Sequence, residues 1–329
     1  MTTLTSSPTD AEPVLDPIRV GLSACLRGDE VRFNGGHSRQ RYLTDTLGQF
    51  FEFVTACPEV EAGMGVPRPT VRLAAIGEKI RVIDPKNNID WTAAMEEHAV
   101  GRASMVDEYQ LSGFILKSKS PSCGVSRVKV YAENGMPTYD GRGVFTAELL
   151  RRYPRLPVEE EGRLNDPGLR ENFVERVFAY HRLRRAFRAR WTVGSIVEFH
   201  TNEKLLLRAH HEVSYRKLGR LVAEAKGMPR AAFAAEYQQG FMDGMGYKST
   251  VRKHTNVLEH MLGFLRDTGD EMGREQARTA IADYRNGLVP LIVPMTLFSY
   301  LASRYNIDYL LRQSYLNPHP KELMLRNHV

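Results

Sequence analysis

The sequence predicts an α/β N-terminal domain with a mainly parallel sheet, followed by an all-α C-terminal domain. Over residues 17–155, short apolar runs alternate with helical patterns, as strand–helix–strand units do. Beyond residue 168 almost every stretch repeats its apolar positions at helical spacing. A third observation places the site. Cys25, Cys57 and Cys123 each follow a predicted strand. In open α/β sheets ligands bind beyond the carboxyl ends of the strands, so three cysteines far apart in sequence can meet there.

Taken in order, residues 1–16 are rich in Thr, Ser, Pro and Asp and read as a disordered leader. A strand at 18–23 delivers Cys25 into a polar loop, and a helix is expected over 38–49, with Tyr42, Leu43 and Leu47 on one face. A second strand, 51–55, ends at Cys57-Pro58-Glu59, and residues 63–69 hold too much Gly and Pro for regular structure. Residues 73–76 and 80–83 form a hairpin around Gly77-Glu78, and 92–110 turn helical. A buried strand at 113–116 leads into Lys117-Ser118-Lys119-Ser120-Pro121-Ser122-Cys123-Gly124, where Pro121 and Gly124 force a tight loop. A short strand at 128–131 and a helix within 141–153 complete the domain, 17–155. Residues 156–167 read as a linker containing Glu159-Glu160-Glu161-Gly162. The all-helical domain, 168–329, follows, with helices at about 172–189, 192–208, 213–224, 229–242, 248–264, 272–286 and 290–305.

Length and composition bound the function classes. A chain of 329 residues with 42% hydrophobic and 26% charged residues can bury the cores of two domains. No charged-then-apolar leader opens it, and the longest apolar stretch, about 288–302, is broken by Pro290 and Pro294. Three cysteines are too few, and odd in number, for a disulfide framework. The expectation is a cytoplasmic protein with reduced thiols and no membrane contact. Residues 1–150 carry a net −3 and residues 151–329 a net +9. Either the second half meets a polyanion or it presents a well-solvated helical surface, and charge alone does not separate the two.

A lone buried cysteine is usually a small hydrophobe, but three in Gly/Pro-interrupted loops at strand ends call for another reading. Structural zinc wants four ligands, and no Cys-x-x-Cys or His-x-x-x-His pair completes such a site. A nucleophile would explain one cysteine and not three. Three thiolates suit a 4Fe–4S cluster with one iron lacking a protein ligand, open to substrate as a Lewis acid. Such an iron favours a sulfur-bearing substrate.

Four motifs then carry a resemblance. Ser23-Ala24-Cys25-Leu26, Cys57-Pro58-Glu59-Val60, Gly65-Val66-Pro67-Arg68-Pro69 and Ser120-Pro121-Ser122-Cys123-Gly124 resemble the DUF523 family, which includes iron–sulfur thiouracil desulfidases. The second half resembles the DUF1722 family through His200, Leu205 to His210, Tyr215, Leu218-Gly219-Arg220, the run from Lys253 to His260, and Tyr284-Arg285-Asn286-Gly287 before Pro290 to Pro294. The first match implies Cys25, Cys57 and Cys123 as cluster ligands. Two-domain proteins of this kind look like desulfidases that remove sulfur from 4-thiouridine, including that in tRNA. The partner implied is a thiolated nucleobase, nucleoside or tRNA, with RNA bound by the helical domain. The reaction implied is hydrolytic, exchanging a thiocarbonyl for a carbonyl and releasing sulfide.

For that chemistry Glu59 is the acid nearest a cysteine and the candidate general base. Ser120 is a candidate hydrogen-bond donor or proton relay, with Ser23 and Ser122 as weaker candidates. Arg68, Lys117 and Lys119 are candidate phosphate contacts. Arg182, Arg184, Arg185, Arg188 and Arg190 form a basic stripe before Trp191, with Arg184, Arg185 and Arg188 as the candidate RNA contacts. Phe187 and Trp191 read as core, and His200, His210, His211, His254 and His260 as helix-packing residues more than a second metal site. Two alternatives stay open: an RNA-binding protein whose cluster is structural or redox-sensing, and a different cluster enzyme performing dehydration or sulfur transfer.

Overall fold

The computed structural model describes residues 17–188 and 190–328. The expected leader, 1–16, lies outside the described residues.

The first half comprises β1 (Arg19–Ser23), α1 (Ala24–Arg27), β2 (Glu52–Ala56), α2 (Pro58–Glu61), β3 (Arg72–Ile76), β4 (Lys79–Asp84), β5 (Ile89–Asp90), α3 (Thr92–Ala103), α4 (Met105–Glu108), β6 (Phe114–Leu116), β7 (Val128–Tyr131), β8 (Pro137–Gly141), α5 (Val144–Arg152) and β9 (Val158–Glu160). Two sheets result. The first is wholly parallel in the order β2-β1-β6-β9, and the second runs β5-β4-β3-β7-β8 with mixed directions. The expected parallel sheet is therefore present, and beside it stands a second sheet built on the expected hairpin, β3–β4. The strands β5 and β8 were not read from sequence, because two residues and a Gly-bounded exposed run carry no apolar alternation.

The parallel sheet is covered on both faces, which is why its strands read as continuous apolar runs. Val20, Leu22 and Ile115 pack with Phe173, Val174 and Val177. Phe114 and Leu116 pack on the other side with Met105, Phe145 and Leu149. Gly21 permits the close pairing, since a Cβ there would lie 2.3 Å from the Phe114 ring.

The second half is helical, as expected: α6 (Pro167–Ala186), α7 (Val193–His210), α8 (Glu212–Glu224), α9 (Arg230–Met245), α10 (Val251–Leu262), α11 (Glu271–Arg285), α12 (Ile292–Arg304) and α13 (Asp308–Leu311). Caps set several starts. Asp166 accepts from Leu169 N ahead of Pro167, Thr192 and Ser195 form a capping box, and Thr250 accepts from Lys253 N. Helix α6 serves both halves. Its Val174 and Val177 pack on the parallel sheet, while Ala179 and Leu183 enter the helical core with Phe233, Tyr237 and Phe241.

Two expectations need correction. The helix expected over 38–49 is only a π-helical turn, Tyr42–Thr46, and a 3-10 turn, Leu47–Gln49. Its first residues instead bind α1, with Ser38 N donating to Cys25 O and Gln40 N to Leu26 O. The stretch expected as a linker, 156–167, is structural from its start. Leu156 is buried and β9 pairs with β6 as the fourth strand of the parallel sheet. Three residues are too few to show a strand's alternation, and the acids that suggested solvent are turned inward.

Candidate active site

All three cysteines lie beyond the carboxyl edge of the parallel sheet, delivered by the adjacent strands β2, β1 and β6. Cys57 follows β2 directly and Cys25 sits in α1, two residues past β1. Cys123 needs a longer loop after β6. That loop is fastened to the start of α5: Val144 N donates to Pro121 O, Phe145 N to Ser122 O, and Thr146 Oγ1 to Cys123 O at 2.6 Å. Gly143 makes the seam possible, because a Cβ there would lie 2.4 Å from the Ser122 carbonyl.

The cysteines line one cavity of about 350 Å³, together with Ser23, Arg32, Glu59, Arg68 and the whole 117–123 loop. All three are free thiols. Burial pushes Cys25 up to about 11, with Cys57 adding to it, and Lys117 and Arg32 opposing. Burial likewise raises Cys57, and pushes Cys123 up to about 12 against hydrogen bonds from Ser23 and Ser122. Among the described residues no set of three His, Cys, Asp or Glu side chains closes around a single metal ion.

Glu59 reaches the cavity from the first turn of α2, and both its oxygens are occupied. Arg68 Nε and Nη2 hold Oε2 at 3.1 and 2.5 Å, while Oε1 accepts from Ser122 Oγ at 2.7 Å and Ser120 Oγ at 3.4 Å. The two serines are 2.8 Å apart, and Ser122 Oγ lies 3.7 Å from Cys123 Sγ. A hydroxyl chain thus runs from a carboxylate to the edge of the thiol group. Ser23 Oγ accepts from Lys117 N at 2.9 Å and fixes where the loop leaves β6.

The expected phosphate contacts divide. Arg68 is engaged by protein groups: its side chain is 5% exposed, and beyond Glu59 it donates to Val31 O and Gly65 O. Lys117 pairs with Glu161, and Lys119 is exposed at the rim. The arginine stripe is not one helical face, because α6 ends at Ala186. Arg182 is bound twice to Glu203, Arg184 donates to Leu111 O, and Arg188 to Gln110 Oε1. Arg185 and Arg190 are exposed. Phe187 and Trp191 pack against the helical core, as read from sequence.

The helical half has its own cavity, about 520 Å³, lined by Glu171, Glu175, His210, His254, Tyr284 and Arg326 among others. Arg326 Nε donates to Glu175 Oε1 at 3.1 Å, and His210 Nε2 lies 3.0 Å from Glu175 Oε2. Burial alone would raise Glu175, but Arg326 and His210 outweigh it and hold it well below the usual carboxylate range. Glu171 is pushed up to about 8 by burial and by Glu175. His200 and His254 each meet a tyrosine hydroxyl at 3.0 Å, so these two histidines pack helices as expected.

Sequence reasoning missed Arg32, which lines the thiol cavity, and Glu160 and Glu161, which grip its loop. A run of acids was the only sequence signal for the last two, and it pointed to solvent.

The model described as 2-thiouracil desulfurase matches residues 20–161, and the DUF1722 model, a protein of unknown function, matches residues 204–320. The uncharacterized protein YbgA of Escherichia coli (strain K12) is 31% identical over 153 residues, which are 46% of this chain and 90% of that protein. The uncharacterized protein YbbK of Bacillus subtilis (strain 168) is 31% identical over 154 residues, 44% of this chain and 97% of that protein. A solved structure titled a 4Fe-4S-dependent thiouracil desulfidase, TudS, is 29% identical, covering 45% of this chain and 94% of its own at a TM-score of 0.37. The chain belongs to the 2-thiouracil desulfurase family, with a DUF1722 domain following in the same polypeptide.

Proposed function

We propose that the protein is an iron–sulfur-dependent desulfidase that converts 4-thiouridine or thiouracil, free or within tRNA, to uridine or uracil with release of sulfide. One observation carries this reading: three thiols from three neighbouring strand ends line a cavity that also holds Glu59, Ser120 and Ser122. The residues fit a 4Fe–4S cluster. The donor set is three thiols from three adjacent strand ends lining one cavity, and thiolate is the ligand iron–sulfur clusters take. Cys25, Cys57 and Cys123 would hold three irons.

When bound, the cluster would supply one iron without a protein ligand, whose Lewis acidity draws electrons from the thiocarbonyl. The chain supplies the proton path. Arg68 fixes the Glu59 carboxylate so that Oε1 faces Ser122 and Ser120. Water attacking the ring carbon gives up a proton through these hydroxyls to Glu59, and the proton returns to the departing sulfur. Thiocarbonyl and water go in, and carbonyl and hydrogen sulfide come out, with no net electron transfer.

The RNA part of this reading is supported by the net +9 of residues 151–329 and by the exposed Arg185 and Arg190. Among the described residues no helix is long and apolar enough to cross a membrane. Anaerobic purification followed by assays of sulfide release tests the reading. Sulfide from thiouracil, 4-thiouridine or thiolated tRNA, proportional to bound iron, supports it, and colourless protein with full activity sinks it. Arg185→Gln with Arg190→Gln should flatten the salt dependence of tRNA binding by about one unit of slope per lost contact. Turnover of free thiouracil should not change.

A further inference from the structure

The acids at the end of β9 are turned away from solvent. Glu160 is 8% exposed and Glu161 6%. A carboxylate is costly to bury unless its oxygens are satisfied, so their partners show what holds them there. Glu161 grips the start of the 117–126 segment. Its Oε2 accepts from Ser118 N at 2.7 Å, and its Oε1 accepts from Ser118 Oγ at 2.8 Å and from the Lys117 ammonium. Glu160 grips the end, where Oε1 accepts from Val125 N at 2.8 Å and Ser126 N at 3.3 Å. Two neighbouring residues thus hold both ends of the loop that carries Ser120, Ser122 and Cys123. Hydrogen bonds to an ionised acceptor are short and about twice as strong as neutral ones, so such a grip fixes geometry well.

We propose that Glu160 and Glu161 are positioning residues for the thiol cavity. Glu160 and Glu161 clamp the Cys123 loop, and Glu161 also fixes the Lys117 ammonium, which lines the same cavity. The clamp follows from the geometry alone, whereas its effect on a cluster rests on the desulfidase reading.

The test uses the full chain with Glu160→Gln, Glu161→Gln and Lys117→Met. In metal-free protein, amide hydrogen exchange should speed up about tenfold or more at Ser118 in Glu161→Gln, and at Val125 and Ser126 in Glu160→Gln, with the sheet strands unchanged. After anaerobic reconstitution, both Gln variants should lose iron to a chelator faster than the parent. The midpoint potential should rise in Glu161→Gln, where a nearby negative charge is lost, and fall in Lys117→Met. A loop that was merely loosened would shift both variants in one direction. Unchanged exchange at those amides overturns the clamp whether or not the chain takes up iron, and potential shifts of one sign overturn the role given to Lys117. Faster exchange in a protein that takes up no iron would leave the clamp standing and remove the desulfidase reading.

Discussion

The two cavities hold buried polar groups on opposite terms. In the helical half the Glu175 carboxylate is met within the protein by Arg326 and His210. In the sheet half three thiols share a cavity in which burial raises each of them, and the opposing charges of Lys117 and Arg32 do not bring Cys25 down. A buried group satisfied by its neighbours is architecture. Under the proposed function, it is these thiols, crowded into one cavity, that would take the iron. The larger cavity is therefore not the better candidate for chemistry.

Breaking each cavity should look different. Replacing Cys25, Cys57 or Cys123 with Ser should bring iron content and sulfide release to background together, because a hard oxygen is a poor substitute for thiolate on iron. A replacement that leaves both intact removes that residue from the ligand set. Arg326→Met should lower stability by about 3–5 kcal/mol, since it strands Glu175 without its cation. Iron bound per folded chain should stay at the parental level, and denaturant unfolding beside an iron assay separates the two effects. Glu59→Gln should keep the cluster and reduce turnover roughly 100-fold, the usual scale of a lost general base. Full turnover in a loaded Glu59→Gln protein would place the base elsewhere.

The last test belongs to Glu171, whose effect shows only as a dependence on pH. Its folded pKa, about 8, lies above the value of an exposed glutamate, so the folded state holds the proton more tightly. The associated stability is complete below about pH 4 and declines as pH rises through 8. Glu171→Gln should flatten that decline, measured by urea melts at a series of pH values.

Much of this was legible in the residues. The strands carrying Cys25 and Cys57, and the helices α6 to α12, announce themselves because apolar residues recur at the spacing that burial requires. The cysteine set and Glu59 were legible as chemistry out of place on a core-facing pattern. Partners chosen by folding were not. Nothing in the sequence ties Arg68 to a carboxylate nine residues away instead of a phosphate, or Arg182 to Glu203. The stripe from Arg182 to Arg190 looked continuous only on the assumption that the helix ran past Ala186. β9 was hidden for the plainest reason, being three residues long with acids that point inward.

That short strand also sets an order of events. Ribosomal synthesis delivers all three cysteines well before residue 158, yet the carboxylates that hold the last cysteine's loop arrive only with residues 160 and 161. A nascent chain that has just exposed Cys123 has all three thiols but not the mould, so under the proposed function metal loading is best served by waiting for the next forty or so residues. The same holds for anyone cutting a minimal fragment. A boundary at residue 155, where composition suggests one, would bare the edge of β6 and leave the Ser118 and Val125 amides without acceptors.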